Sequence, residues 1–462
     1  MRTDEILQRF EIGAPLSVMA RAAITRVLNS QRLDEMFNRE RVKQKCGDLL
    51  FSTVVDLMSL VAIKTKSNVH AAYKHRQEQM TVAINSIYNK LQGIEPQVSR
   101  SLVRETAQDL KAVIEAMKNG RSEPVLKGYR VRVADANHLA STDHRIKELR
   151  NLGAAALPGT GMVIFDPDYL MAVDLIPCED GHANELNLMP PVVESLTRGE
   201  VLIMDRGLGS KQTLLSIVDR GAYYIARHNK ALFQEWSPAG RQRKISQTAS
   251  ETVYEQRIEF HYQGEVHYCR RLTIKLAQKT RFGESEINLL TNLPARVKAP
   301  AVSTAYRNRW GVEKYFYHLD KVTNAEIQSL GYPQAALFSF AMGLFMLNIL
   351  NTIRIAVAAA AVAEDQDEPL TADDISAYHS AIEIVDAWKG MDLVIDAEFF
   401  ERKYSAMPLP KLAKELLRIA KGVQLRCVLK AKRGPKRPPP RKMGGGQGQH
   451  VATARVLANR RA

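Results

Sequence analysis

Cysteine is scarce in this chain: four in 462 residues, at Cys46, Cys178, Cys269 and Cys427, with no C-x-x-C pair. That excludes a disulfide scaffold and a thiolate zinc finger, and it fits a reducing compartment. The first residues, MRTDEILQRF, carry acids and lack a continuous apolar core, so no signal peptide is expected. Long apolar runs are also lacking, with one exception at residues 335–353 (AALFSFAMGLFMLNILNTI). Asn348, Asn351 and Thr352 interrupt that run and Arg354 ends it, so we read a buried core helix and expect no membrane partner. No internal repeat is visible. Hydrophobic residues at 45% and charged residues at 25% are ordinary for a folded protein and exclude a wholly disordered chain. The length suggests about three domains.

What the chain does have is positive charge, 65 − 50 = +15. Eleven Lys and Arg and no acid fall in residues 426–462, so the other 425 residues hold only 15 − 11 = +4. A tail rich in Pro and Gly (RGPKRPPPRKMGGGQGQ) cannot build a core and reads as extended and flexible. Its charge suits phosphate backbones, with a solubilising role as the alternative.

Along the chain, residues 1–124 read as a helical domain, with apolar residues at helical spacing in AAITRVLNSQRLDEMF and LLFSTVVDLMSLVAI. It could bind DNA or simply pack; no helix-turn-helix signature decides between them. The pattern changes near residue 125. VRVAD (131–135), MVIFDPDY (162–169), LMAVDLIPC (170–178), VLIMD (201–205) and AYYIAR (222–227) read as strands. HANELNLMPPVVESL, with a break at Pro190-Pro191, and SKQTLLSIVDRG (210–221) read as the helices between them. The order β, β, β, α, β, α, β spans residues 125–229. Residues 230–300 alternate β-formers with charges and read as a β-rich insertion with a hairpin at Gln263-Gly264. From Ser303 a single helix is expected through VEKYFYHLDKV, then the apolar helix and further helices to residue 425.

Asp135 and Asp205 each end an apolar strand, which would hold a carboxylate rigidly at a sheet edge. Glu313 follows on the later helix. At about 100° per residue, Tyr306, Arg309 and Glu313 share one helix face. Three such carboxylates can hold two Mg²⁺ or Mn²⁺ ions for in-line attack on a phosphodiester. Any one of these acids alone more often serves as a turn former or a solvated side chain.

Three stretches then resemble a known family. VLIMDRGLGSKQTLLSIVDRGAYYIARHN resembles the second-Asp block of DDE-type transposases of the bacterial insertion-sequence IS-four family. RVADANHLASTDHRIKELR resembles the first-Asp block, and YRNRWGVEKYFYHLDK the Y-R-E-K signature. The resemblance covers about residues 125–425. It implies an α/β, ribonuclease H-like catalytic core interrupted by a β-rich insertion. Asp135, Asp205 and Glu313 would be the metal-binding triad, with two Mg²⁺ or Mn²⁺ ions. Tyr306 and Arg309 would contact phosphate. The family's Lys falls on Asp320 here, so Lys321, one residue later, is taken in its place. The implied protein is a DNA transposase. It would bind terminal inverted repeats, cleave at element ends and join the 3′-OH ends to target DNA. Its partners would be double-stranded DNA and a second copy in a homodimer, in the bacterial cytoplasm and on the nucleoid when DNA-bound. A catalytically silent DNA-binding descendant, or a nuclease that cuts without joining, remain the alternatives.

Other residues carry two readings each. Arg206 could bind phosphate or fix the turn beside Gly207, and Arg227 and His228 flank the same region. His138 and His144 lie near Asp135, and His182 with Glu185 could form a metal pair, although surface or capping roles are commoner. Trp236 is expected in the core of the insertion, or stacked on a flipped base as in hairpin-forming relatives. Trp310, Tyr315, Phe316 and Tyr317 are expected to pack.

Deleting residues 426–462 is expected to lower DNA affinity and flatten its salt dependence, measured as the slope of log K against log salt. An unchanged slope would make the tail a bystander.

Overall fold

A computed structural model describes residues 3–45, 47–118, 120, 122–280, 283–361, 370–431, 434 and 450–461. Its centre is a ten-stranded mixed sheet. The strands that matter here are β1 (Val131–His138), β2 (Thr160–Asp166), β3 (Met171–Cys178), β4 (Val201–Met204), β5 (Tyr223–Arg227), β6 (Glu251–Tyr262), β7 (Glu265–Leu276) and β8 (Glu286–Thr291). Their order is β3-β2-β1-β4-β5-β8-β7-β6. β1, β2 and β3 are antiparallel neighbours, whereas β4 and β5 run parallel to β1. This is the α/β, ribonuclease H-like arrangement expected from the sequence.

Parallel strands need cover on both faces, and the side-chain alternation supplies it. Val131, Val133, Val201 and Ile203 enter one large core shared with the N-terminal helices and the Pro333–Ala361 helix. Ala134, Leu202, Met204 and Tyr224 enter a second core under the Met189–Ser195 and Lys211–Asp219 helices. The prolines expected to break the first of these helices instead sit in its first turn, where a missing N–H costs nothing.

The insertion extends the same sheet, because β8 pairs antiparallel with β5. The β6–β7 hairpin turns at Gln263-Gly264, with φ of 50° and 84°; two successive positive φ values match the right-handed strand twist.

The helices of the first 124 residues bury apolar faces in the large core. Arg100 on the Pro96–Ala116 helix donates to both carboxylate oxygens of Asp174 on β3, at 3.0 and 2.8 Å. Arg21, His75 and Arg76 converge on Asp392 of the Ala377–Val394 helix.

The Pro333–Ala361 helix is buried along its whole length. Its polar residues are structural. Asn348 accepts from the Ala172 N–H at 2.9 Å and donates to the Ala172 carbonyl at 2.8 Å, beside the irregularity where β2 and β3 shift register. It also accepts from the Tyr315 hydroxyl at 2.8 Å. Arg354 donates to the Ile375 and Ala372 carbonyls and to Asn351, so each of its three buried nitrogens has a partner.

The tail departs from the extended reading at both ends. Leu425–Val428 is a short helix, and Leu429 bridges to Ile375. His450–Ala452 forms a two-stranded parallel pair with Ala155–Leu157, followed by the Thr453–Arg461 helix. The physical reason is the return of apolar residues: Val456 and Leu457 pack on a small separate core of Ile146, Leu149 and Ala156. The proline- and glycine-rich stretch between lies outside the described residues.

Replacing Asn348 with Leu would strand the Ala172 amide and carbonyl in an apolar core. We expect a loss of about 2–4 kcal/mol in urea unfolding; an unchanged midpoint would show that the helix does not depend on this bond.

Candidate active site

β1 and β4 run parallel in a register that sets Ala134 beside Met204. The next residue on each strand is an aspartate, so Asp135 and Asp205 come out side by side. Both are one step past residues of the second core and so face the side of the large core. There they meet the segment that carries the third acid. Sequence reading expected one helix from Ser303 to Val322. The chain instead forms two, Ala299–Arg307 and Trp310–Val322, joined by a tight turn at Asn308 and Arg309. The Arg309 amide donates to the Tyr306 carbonyl at 3.0 Å, and the Val312 amide to the Arg309 carbonyl at 3.0 Å. The tight turn aims Arg309 inward.

Its guanidinium gathers the acids. It lies 2.7 Å from Glu313, 3.6 Å from Asp135 and 4.0 Å from Asp205. The Tyr306 hydroxyl donates to Asp205 at 3.4 Å. Thus Asp135, Asp205, Glu313, Tyr306 and Arg309, widely spaced in sequence, meet at one place. Arg309 is only 8% exposed, and its Nε is buried without a hydrogen-bond partner.

The electrostatics follow from this crowding. Burial, together with Asp205, Glu313 and Glu185, outweighs Arg309 and pushes the Asp135 carboxyl up to about 7. Burial and the Asp205 charge raise the Tyr306 hydroxyl to about 12, so it stays a donor at neutral pH. Burial works against the Arg309 charge, but Asp205, Tyr306, Asp135 and Glu313 outweigh it and raise its pKa.

Three carboxylates, without sulfur or imidazole, are the donor set of a hard divalent cation. Arg309 stands where such a cation would sit. Among the described residues no three His, Cys, Asp or Glu side chains are grouped closely enough to hold a metal ion, so binding one requires Arg309 to turn away and the acids to close in.

The remaining sequence candidates scatter. Lys321 lies eight residues after Glu313, about 12 Å along the helix. Its ammonium pairs with Asp320 at 2.8 Å and stands away from the carboxylates. Arg206 is half-exposed and shares Glu284 with Arg227; those two bonds, Arg227 first, hold Glu284 below the usual carboxylate range. Glu185 faces His138, at 3.4 Å. Trp236 is half-buried between the Arg271 guanidinium and the His228 ring. Trp310 and Tyr317 are exposed rather than packed, because they fall on the outer side of a helix that buries Val312, Tyr315 and Leu319.

Sequence reading missed Glu284 and Glu326. Glu326 accepts from the Asn137 side chain and the Ala140 amide just past Asp135, and so fixes the exit of β1. Neither acid sits in a motif that would have marked it.

Residues 127–349 match the family model of the transposase DDE domain. That span opens just before β1 and includes every residue gathered by Arg309. No curated protein sequence matches the chain. Among solved structures, the cryo-EM structure of a piggyBac transposase synaptic complex with hairpin DNA is similar at a TM-score of 0.37. Its sequence identity is 11%, and the match covers 85% of this chain and 82% of that one.

A raised carboxyl favours folding while protonated and loses that advantage as pH rises through its folded value. Metal-free stability should therefore fall as pH rises from about 4 through 7. Asp135→Asn should be more stable than the parent at pH 8, by about 2 kcal/mol, and should lose any stabilisation by Mn²⁺. Thermal melts with and without Mn²⁺ check both; a variant less stable at pH 8 would contradict the assignment.

Proposed function

We propose that the protein is a metal-dependent DNA transposase of the insertion-sequence IS-four type. It would bind the terminal inverted repeats of its element, cleave phosphodiester bonds at the ends and transfer the 3′-OH ends to target DNA. One observation carries the reading: Asp135, Asp205 and Glu313 converge on Arg309 inside the segment that matches the transposase DDE domain.

Asp135, Asp205 and Glu313 would hold two divalent ions, Mg²⁺ or Mn²⁺. Those ions supply activation of the attacking oxygen and charge stabilisation of the leaving one. The chain's own residues do the rest. Asp135 and Asp205 are fixed by strand register, so little reorganisation is required of them. Arg309, released from the carboxylates, would carry its charge to the phosphate and stabilise the negative charge growing there. Tyr306, neutral at working pH, would donate to a phosphate oxygen or keep Asp205 oriented. The two roles of Arg309 exclude one another at any instant, which would couple ion binding to phosphate binding.

We place the active form as a homodimer on double-stranded element ends and target DNA, in the cytoplasm and on the nucleoid. One observation favours a second reading, a catalytically silent DNA-binding descendant. Asp320 occupies the family's Lys position, and Lys321 pairs with it rather than with a site group.

The test is purified protein with Mg²⁺ or Mn²⁺, a labelled element-end duplex with its flanking DNA, and a supercoiled plasmid. The transposase reading expects metal-dependent end cleavage followed by joining to the plasmid. Cleavage without joining supports the plain nuclease, and tight end binding with no cutting supports the silent descendant. Asp135→Asn, Asp205→Asn and Glu313→Gln should each abolish cleavage and retain end binding. A variant that cuts at the parent rate removes its residue from the triad.

A further inference from the structure

A broad cleft lies away from the carboxylates. It encloses about 690 Å³ and is lined by Asn68, Tyr88, Arg145, Lys147, Arg150 and Tyr332, among others, with no Asp or Glu in its wall. Asp143 pairs with Arg145 from outside the wall, at 3.0 Å, so Lys147 and Arg150 carry the net charge. Both are exposed.

Two connections tie this cleft to the triad. The first is β1 itself. It carries Asp135, leaves the sheet after His138 and enters the 139–150 segment that supplies the cleft's three cations. Glu326 pins that exit, and the Asp143 amide donates to the Gln328 carbonyl at 2.8 Å. The second is the helix of Glu313. At its C-terminal end the Lys64 ammonium donates to the Lys321 carbonyl at 2.8 Å, and the Asn324 side chain donates to the Ser67 carbonyl at 3.2 Å. The next residue, Asn68, lines the cleft.

We infer that this cleft, reached from the triad past Lys321 and Lys64, is a track for the backbone of bound DNA. Lys147 and Arg150 would face phosphates, and the Tyr88 and Tyr332 rings would give a sugar or base an apolar wall. A cationic wall without carboxylates suits a phosphodiester chain, and two aromatic rings suit a nucleic acid better than a free anion. Lys321 then contributes along the track instead of at the reacting phosphate. The inference rests on the DNA-transposase reading above.

The experiment is fluorescence anisotropy of the full chain with a labelled duplex over a range of salt. Lys147→Ala/Arg150→Ala is compared with Lys411→Ala/Lys414→Ala, two exposed lysines on the Leu409–Ala420 helix. A track predicts that the cleft pair lowers the log–log salt slope by about 2, that the control pair leaves it unchanged, and that Lys147→Arg/Arg150→Lys restores it. The Mn²⁺-dependent thermal shift should be that of the parent in all of them. An unchanged slope in the cleft pair, or an equal fall in both pairs, overturns the track and leaves the transposase reading standing. A parent protein that binds no duplex overturns the transposase reading itself.

Discussion

One guanidinium holds three carboxylates together. Arg309 comes from a turn between two helices, Asp135 and Asp205 from neighbouring parallel strands, and Glu313 from the helix that follows. Without a cation among them, three acids at this spacing would repel each other, and the cost would grow with their burial. Arg309 supplies the cation from within the chain. The local fold can therefore form without a bound ion. The cost is a poorly solvated charge with its Nε unpaired and a carboxyl, Asp135, displaced to about 7.

The rest of the structure keeps these groups in place. Register is the first constraint, since slipping β4 against β1 by one residue would turn Asp205 to the other face. The second is the buried Pro333–Ala361 helix. Asn348 bonds at once to the β3 backbone and to Tyr315, which stands two residues after Glu313 on the same helix. The sheet and the Glu313 helix are thus fastened to a single amide. Polar residues inside an apolar helix are costly unless fully bonded, and here their bonds align the elements that carry the acids.

Much of this was legible in the sequence. The β, β, β, α, β, α, β order and the β6–β7 turn could be read because strand alternation and the Gln263-Gly264 turn are local signals. The meeting of Asp135, Asp205, Glu313, Tyr306 and Arg309 followed from strand-end placement, helical spacing and family resemblance together. Other features were not local. Gly311 follows the break at Asn308 and Arg309 but lies inside the second helix, so it does not place the break. The sharing of one core by the N-terminal helices depends on faces that read equally well as a separate bundle. Glu284 and Glu326 act on groups far away in sequence, and nothing in their neighbours marks them. Lys321 stands next to the motif position, and the rise of about 12 Å along the helix from Glu313 carries it away from the acids.

We propose that these carboxylates form a divalent-cation site for which Arg309 holds the place. The most direct measurement is a crystal structure with Mn²⁺ and an element-end duplex, with the metal located by its anomalous scattering. Manganese is expected on Asp135, Asp205 and Glu313, with the Arg309 guanidinium turned onto a phosphate. Manganese absent from the three acids, with Arg309 still bridging them, would contradict it.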